Sequence, residues 1–169
     1  MATRSASEPR SGCPINAAVE VIGDRWSLLV LRDVMFGNRR HFCVLQERSE
    51  EGIASNILAD RLRRLVSVGL LTRADVGRGR RAAYSLTEAA IELVPVMAVL
   101  AEWGLRNRPS TPTLRVRAEL LVDGGPELCE DFMAELRCEH LGAPPPGGRP
   151  TATERLAGAY AEAVAAEGG

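Results

Sequence analysis

Lysine is absent from this 169-residue chain, so all 21 of its basic side chains are arginine. Histidine is scarce, with His41 and His140 as its two members. They form no two-histidine metal motif, and the chain has no Gly-x-Ser-x-Gly turn and no phosphate-cradling glycine loop. A thiol enzyme built on Cys13 would have His41 alone as a nearby base in sequence. No enzymatic activity and no cofactor are therefore expected. Cys138-Glu139-His140 looks like a fragment of a metal site, but no second ligand pair stands at useful spacing, so no metal is expected either. The four cysteines (Cys13, Cys43, Cys129, Cys138) contain no CxxC pair and read as thiols. No apolar run approaches the roughly 18 residues of a membrane span. Met1 to Gly12 has no apolar signal core, so a cytoplasmic protein without membrane contact is expected. Internal repeats are also absent.

What is present is a core and an uneven charge. Hydrophobic residues make up 46% and charged residues 25%, an ordinary globular composition. The formal net charge of -1 argues, taken whole, against a nucleic-acid binder. Divided, it reverses. Residues 1–110 carry 16 Arg against 12 acids, and residues 111–169 carry 5 against 10. From Ala54 to Tyr84 seven arginines face two acids, Asp60 and Asp75. Such a block is a local electrostatic footprint that the total conceals.

Residues 1–12 lack periodicity and read as a disordered lead-in. Pro14 suits the first turn of a helix that ends at Gly23. Trp26 to Met35 forms a second helix, and Phe42 with Leu45 share a face of a short third one. A polar turn from Ser49 to Gly52 follows. In the next helix Leu58, Leu62, Leu65 and Val66 form one stripe, with Asn56, Asp60, Arg63, Arg64 and Ser67 opposite and Arg61 on the flank. Leu70 to Val76 and Ala82 to Leu86 read as strands around a basic tip, Gly77 to Arg81. Thr87 is a good cap for a helix running to about Asn107, in which Pro95 predicts a kink or break. Leu114 to Val122 is ambiguous between strand and helix. Leu128, Phe132 and Leu136 stripe a further helix. Ala143 to Pro150 reads as a linker, and Thr151 with Glu154 as a capping box for a terminal helix striped by Leu156, Tyr160 and Val164.

This order predicts a mainly α fold with a small β-hairpin wing: a winged helix-turn-helix over residues 13–108, then a C-terminal helical extension. The extension divides into an acidic, partly helical segment (109–142), the linker (143–150) and a terminal amphipathic helix (151–169). A helix held by one leucine face can place its other face in a major groove, while an arginine-bearing wing meets phosphate or the minor groove. The candidate DNA-binding residues are Ser55, Asn56, Arg61, Arg63, Arg64, Arg78, Arg80 and Arg81. For the arginines a solvated surface is the alternative; for Ser55 and Asn56 it is helix capping. Asp60 would repel phosphate and is expected to pair with Arg63 or Arg64. Apolar residues around much of the Thr87–Asn107 helix exceed what one small domain buries. They predict a homodimer interface of Val19, Ile22, Ile91, Val94, Met97, Leu100 and Trp103.

The same residues carry a resemblance. Cys13-Pro14 and the run Val21-Ile22-Gly23-Asp24-Arg25-Trp26-Ser27-Leu28-Leu29-Val30-Leu31-Arg32-Asp33 resemble the start of an HxlR-type regulator. Gly52-Ile53, Leu58-Ala59-Asp60-Arg61-Leu62-Arg63-Arg64-Leu65 and Gly69-Leu70 continue it. Tyr84-Ser85-Leu86-Thr87, Leu93-Val94-Pro95-Val96-Met97 and Ala101-Glu102-Trp103-Gly104 complete it, in order and over about residues 13–106. The resemblance implies a bacterial transcription regulator, a repressor or an activator, dimeric on a pseudo-palindromic operator. It also implies a response to an electrophile, oxidant or small ligand, as in several members of that family. Cys13 matches the cysteine of the family's Cys-Pro motif, a sensor in some members, and a helix start favours thiolate. A small packed residue near the dimer interface is the alternative role for Cys13. The chain departs from the family at Ala54, where serine is common, which would shift the helix cap to Ser55. A dimeric ligand-sensing or protein-interaction module with residual DNA binding is the alternative function, motivated by the acidic extension.

Overall fold

The computed structural model describes residues 11–74, 81–147 and 150–167. Helix α1 (Pro14–Ile22) carries proline in its first turn and stops at Gly23. Asp24 caps α2 (Arg25–Gly37), accepting from the Trp26 and Ser27 N–H groups at 3.1 and 3.0 Å. Helix α3 (Phe42–Glu47) and helix α4 (Ser55–Ser67) are joined by a short turn and form the helix-turn-helix pair. Gly69 ends α4 at φ +76°, where the Leu70 N–H reaches back to the Leu65 carbonyl at 2.9 Å. That left-handed position suits glycine, which has no Cβ to clash.

Strands β1 (Leu71–Ala74) and β2 (Ala83–Leu86) pair antiparallel, Leu71 opposite Leu86 and Ala74 opposite Ala83. They are the expected hairpin, starting one residue later in each strand than the sequence suggested; positions 75–80 of the expected strand and tip lie outside the described residues. The expected helix from Thr87 is two helices, α5 (Glu88–Ile91) and α6 (Val94–Asn107). Pro95 has no N–H to donate to Ile91, so the ladder breaks there. Thr87 caps α5 as predicted, accepting from the Ala90 N–H, and its hydroxyl donates to the Gly69 carbonyl at 2.7 Å. The ambiguous segment is helical: α7 (Pro112–Asp123), with proline in its first turn. Helices α8 (Gly125–Leu141) and α9 (Ala152–Glu167) complete the chain.

One apolar core runs through these elements. Leu31 and Val34 of α2 meet Leu58, Leu62 and Leu65 of α4, Leu71 and Leu86 of the hairpin, and Ile91 and Val94. Each fully buried side chain of this size stabilises the fold by roughly 1.5–3 kcal/mol. The acidic extension shares that core through Leu128, Phe132, Met133 and Leu136 of α8. Phe132 stacks on Phe36 of α2, ring centroids 5.0 Å apart and 17° from parallel. The capping box of α9 forms as expected: Thr151 N–H donates to Glu154 at 2.9 Å, and Glu154 N–H to the Thr151 hydroxyl at 3.1 Å. Glu135 of α8 also accepts the Ala152 and Thr153 N–H groups at 2.5 and 3.0 Å, so α8 fastens the start of α9. Among the described residues, no helix is long and apolar enough to cross a membrane.

Candidate nucleic-acid interface

The leucine stripe of α4 dictates what its other face presents. With Leu58, Leu62 and Leu65 buried, Ser55, Asn56, Asp60, Arg63 and Ser67 are exposed. Ala54 is the residue that precedes the first turn, with no side-chain cap bond. Ser55 already lies inside that turn, so the expected shift of the cap to Ser55 does not occur. The Asn56 side chain makes no hydrogen bond to any described residue, which leaves its amide available for an outside partner.

The three arginines of α4 have different surroundings. Arg63 is open, its side chain 78% exposed, with a contact to Asp60 at 3.5 Å. Arg64 donates to the Glu20 carbonyl and so touches α1. Arg61 is enclosed between acids, 3.3 Å from Asp24 and 2.8 Å from Asp60. Asp60 therefore pairs with Arg61 and Arg63 rather than Arg64. Burial alone would raise the Asp24 carboxyl, but the Ser27 hydrogen bonds and the Arg61 charge outweigh it and hold it below its ordinary value. Arg61 thus links α4 to the cap of α2, a role that sequence spacing did not reveal.

The turn before α4 is fixed by a second charged group that the sequence reading missed. Arg32 grips Glu51 through two bonds of 2.6 and 2.9 Å and contacts Asp33 at 2.8 Å. Arg39 joins Asp33 at 3.0 Å to the Arg48 carbonyl at 2.6 Å. The Arg32 hydrogen bond holds Glu51 below its ordinary carboxylate range. A two-point guanidinium–carboxylate contact fixes orientation as well as distance. It sets the entry of α4.

At the wing, Arg81 is exposed and donates to the Cys43 thiol at 2.8 Å. Arg78 and Arg80 lie outside the described residues. Arg73, exposed on β1, is a further basic group of this surface; strand alternation puts it in phase with the buried Leu71, so periodicity gave no signal for its exposure. Cys13 is exposed immediately before α1, and its own N–H donates to the Ser11 hydroxyl at 3.3 Å. Cys129 is buried, its thiol pushed up by burial and by Glu130. Among the described residues, no group of three His, Cys, Asp or Glu side chains is placed to hold a metal ion.

The candidate dimer face needs correction. Ile91, Val94 and Met97 are buried within the chain itself, so they are unavailable to a second subunit, while Ile22 is partly buried against the same core. Val19, Leu100 and Trp103 are exposed. The sequence reading missed Ile15 on α1 and, on α6, Val96 and the 65% exposed Val99. Val96, Val99, Leu100 and Trp103 fall at i, i+3, i+4 and i+7, one stripe on the side of α6 away from the core. Helix α1 buries none of its residues fully, although most of them are apolar.

The chain is matched over residues 21–112 by the HxlR-like helix-turn-helix family. It is 38% identical over 120 residues to an HTH-type transcriptional regulator of Mycobacterium tuberculosis strain H37Rv, covering 69% of this chain and 74% of that one. A similar regulator of Synechocystis strain PCC 6803 is 35% identical over 94 residues, 54% of this chain and 67% of that one. Among solved structures, PA1607, assigned as a transcription factor, superposes with a TM-score of 0.54 at 34% identity, over 60% of this chain and 69% of that one. A protein of Porphyromonas gingivalis W83 assigned to the MarR family superposes at 0.50 and 25% identity, over 62% of this chain and 99% of that one.

Proposed function

Because the chain belongs to the HxlR-like helix-turn-helix family, we propose that it acts as a homodimer on a two-fold operator, with α4 of each subunit in a major groove. That it is a DNA-binding transcriptional regulator follows from the family and from its relatives. The observation that carries the finer reading is the exposed face of α4. Asn56 can bind adenine with both amide atoms, and Arg63 can fork onto guanine or phosphate. Arg64, Arg73 and Arg81 flank that face, and the wing arginines 78 and 80 extend the basic surface in sequence. Two copies of α4 are expected roughly 34 Å apart, one duplex turn. The solvent-facing stripe on α6 and the uncovered apolar helix α1 support the dimer.

The regulator works in the cytoplasm, and its effector is an electrophile, an oxidant or a small ligand. Cys13 is the proposed sensor thiol, exposed beside the apolar face of α1, where an adduct would disturb subunit pairing. Selection of duplexes from a random pool, followed by gel shifts at low and high salt, tests the DNA reading. An enriched half-site repeated on a two-fold axis is expected, with affinity falling steeply as salt rises. Failure to enrich any sequence would overturn it. Cys13→Ser retaining the full response to an electrophile would remove Cys13 from the mechanism.

A further inference from the structure

Strand β2 has two edges, and its backbone N–H groups point alternately to one and the other. One edge pairs with β1. On the other, the Tyr84 N–H donates to the Arg40 carbonyl at 2.8 Å, and His41 bridges Ala83. The next outward N–H, that of Leu86, meets no strand. His140, in the last turn of α8, accepts it through Nδ1 at 3.3 Å. Its neighbour Glu139 accepts from Arg40 Nη1 and from the Asn38 amide, both at 3.2 Å. The same Arg40 side chain reaches the Tyr84 carbonyl at 3.2 Å and the Ser85 hydroxyl at 2.5 Å. Farther back on α8, Arg137 grips Glu88 of α5 at 2.7 Å. All three α8 residues lie beyond the matched segment 21–112.

We infer that Glu139 and His140 are positioning residues for DNA binding, holding the root of the wing hairpin and so the direction in which Arg73 and Arg81 meet the duplex. The inference rests on the DNA-binding reading above. The residues before α3 hold the outer edge of β2 at Ala83, Tyr84 and Ser85. The extension adds the hold at Leu86 through His140 and braces Arg40 through Glu139. The acidic segment therefore serves the basic surface through this contact.

The contact also has a proton dependence. To accept from Leu86, Nδ1 must be unprotonated, with the ring hydrogen on Nε2. Protonation turns the acceptor into a donor facing a donor and adds a cation beside Arg40, with Glu139 as the nearby counter-charge among the described residues. Burial, and then the Arg40 charge, lower His140 from its ordinary 6.5 to about 4. Acidification from about pH 7.5 to about pH 5 therefore shifts the contact toward release.

The test uses the full chain and a fluorescent duplex recovered by the wild-type protein from a random pool. Amide exchange at Leu86 and binding at both pH values are measured for wild type, His140→Ala, His140→Gln and Glu139→Gln, each first shown to be folded by circular dichroism. His140→Ala should speed Leu86 exchange by about tenfold or more and weaken binding about five- to tenfold. Glu139→Gln, on an exposed side chain, should weaken binding two- to threefold, roughly. His140→Gln keeps an acceptor that does not titrate, so it should retain wild-type affinity near neutrality and lose part of the fall at low pH. Wild-type affinity in both His140→Ala and Glu139→Gln would overturn the inference while leaving the DNA reading intact. Recovery of no duplex by the wild-type chain would overturn the DNA reading itself.

Discussion

Arg61 and Arg63 stand two residues apart on α4, and their environments predict opposite phenotypes. Arg61→Ala removes a cation lying 3.3 Å from Asp24 and 2.8 Å from Asp60. Partly exposed ion pairs contribute about 0.2–1 kcal/mol each. Loss of the arginine stem against the surface adds to that. The expected destabilisation is about 1–2 kcal/mol, since Asp24 keeps its backbone cap. Arg63→Ala removes a side chain that is 78% exposed, so stability should move by less than about 0.5 kcal/mol. On DNA the order reverses. A lost guanine contact costs about 1–3 kcal/mol, roughly 5- to 150-fold in affinity, and relaxes preference at one base position. A lost phosphate contact lowers affinity on all sequences and flattens the salt slope by about one.

Urea unfolding followed by tryptophan fluorescence measures the first quantity. Fluorescence anisotropy on the selected duplex, from about 50 to 200 mM salt, measures the second. Full stability in Arg61→Ala with a binding loss equal to that of Arg63→Ala would refute the assignment of Arg61 to the Asp24 cap. A destabilised Arg63→Ala with unchanged binding would refute the assignment of the open face to DNA.

Three further outcomes follow from burial and charge. Phe132→Ala should cost about 3–5 kcal/mol in a single unfolding transition, because Phe132 is 2% exposed and stacked on Phe36; a second transition would mean that the extension unfolds separately. Trp103→Glu, on a side chain 54% exposed, should leave the fold intact and shift the sedimentation coefficient from dimer to monomer; an unchanged coefficient would remove α6 from the interface. His140, held neutral to about 4 against an ordinary 6.5, stabilises the fold fully above about pH 6.5 and loses that contribution as pH falls toward 4. The half-buried ring keeps about 1–2 kcal/mol of the effect, so His140→Gln should flatten the acid limb of the pH–stability curve.

The helix-turn-helix was legible because its signals are local. The Leu58, Leu62, Leu65 spacing, the Thr87 cap and the capping box at Thr151 each lie within a few turns of chain. Pro95 marked its break for the same reason. The segment from Leu114 to Val122 resisted because its charged residues interrupt both helical and strand periods, and Leu121 alone is buried there. Periodicity on α6 revealed apolar residues on both sides without revealing which side met the core. Val94 and Met97 took it, leaving Val96, Val99, Leu100 and Trp103 outside. Arg61 and His140 were illegible in a stronger sense. Their partners, Asp24 and the Leu86 N–H, lie 37 and 54 residues away in sequence, and only the fold brings them within reach.

Near-neutral charge is the wrong quantity for judging this surface. Screening confines exposed charges to a range of about 8 Å at physiological salt, so α4 responds to its neighbours and not to the total. Several acids of the extension are already engaged close to home. Glu119 meets Arg115 at 3.0 Å, Glu135 caps α9, and Glu139 holds Arg40 and Asn38. Among the described residues, Arg63, Arg73 and Arg81 have no carboxylate comparably close, apart from Asp60 beside Arg63 at 3.5 Å. The residual field is therefore positive on the α4 and wing side, although the chain as a whole carries -1. Asp60→Asn removes the one acid of α4 and should strengthen binding to every duplex, most at low salt. Arg61 keeps Asp24 as its partner in that variant, so stability should change little. An affinity unchanged at low salt would mean that Asp60 is remote from the phosphates, and that α4 meets DNA through its first turn alone.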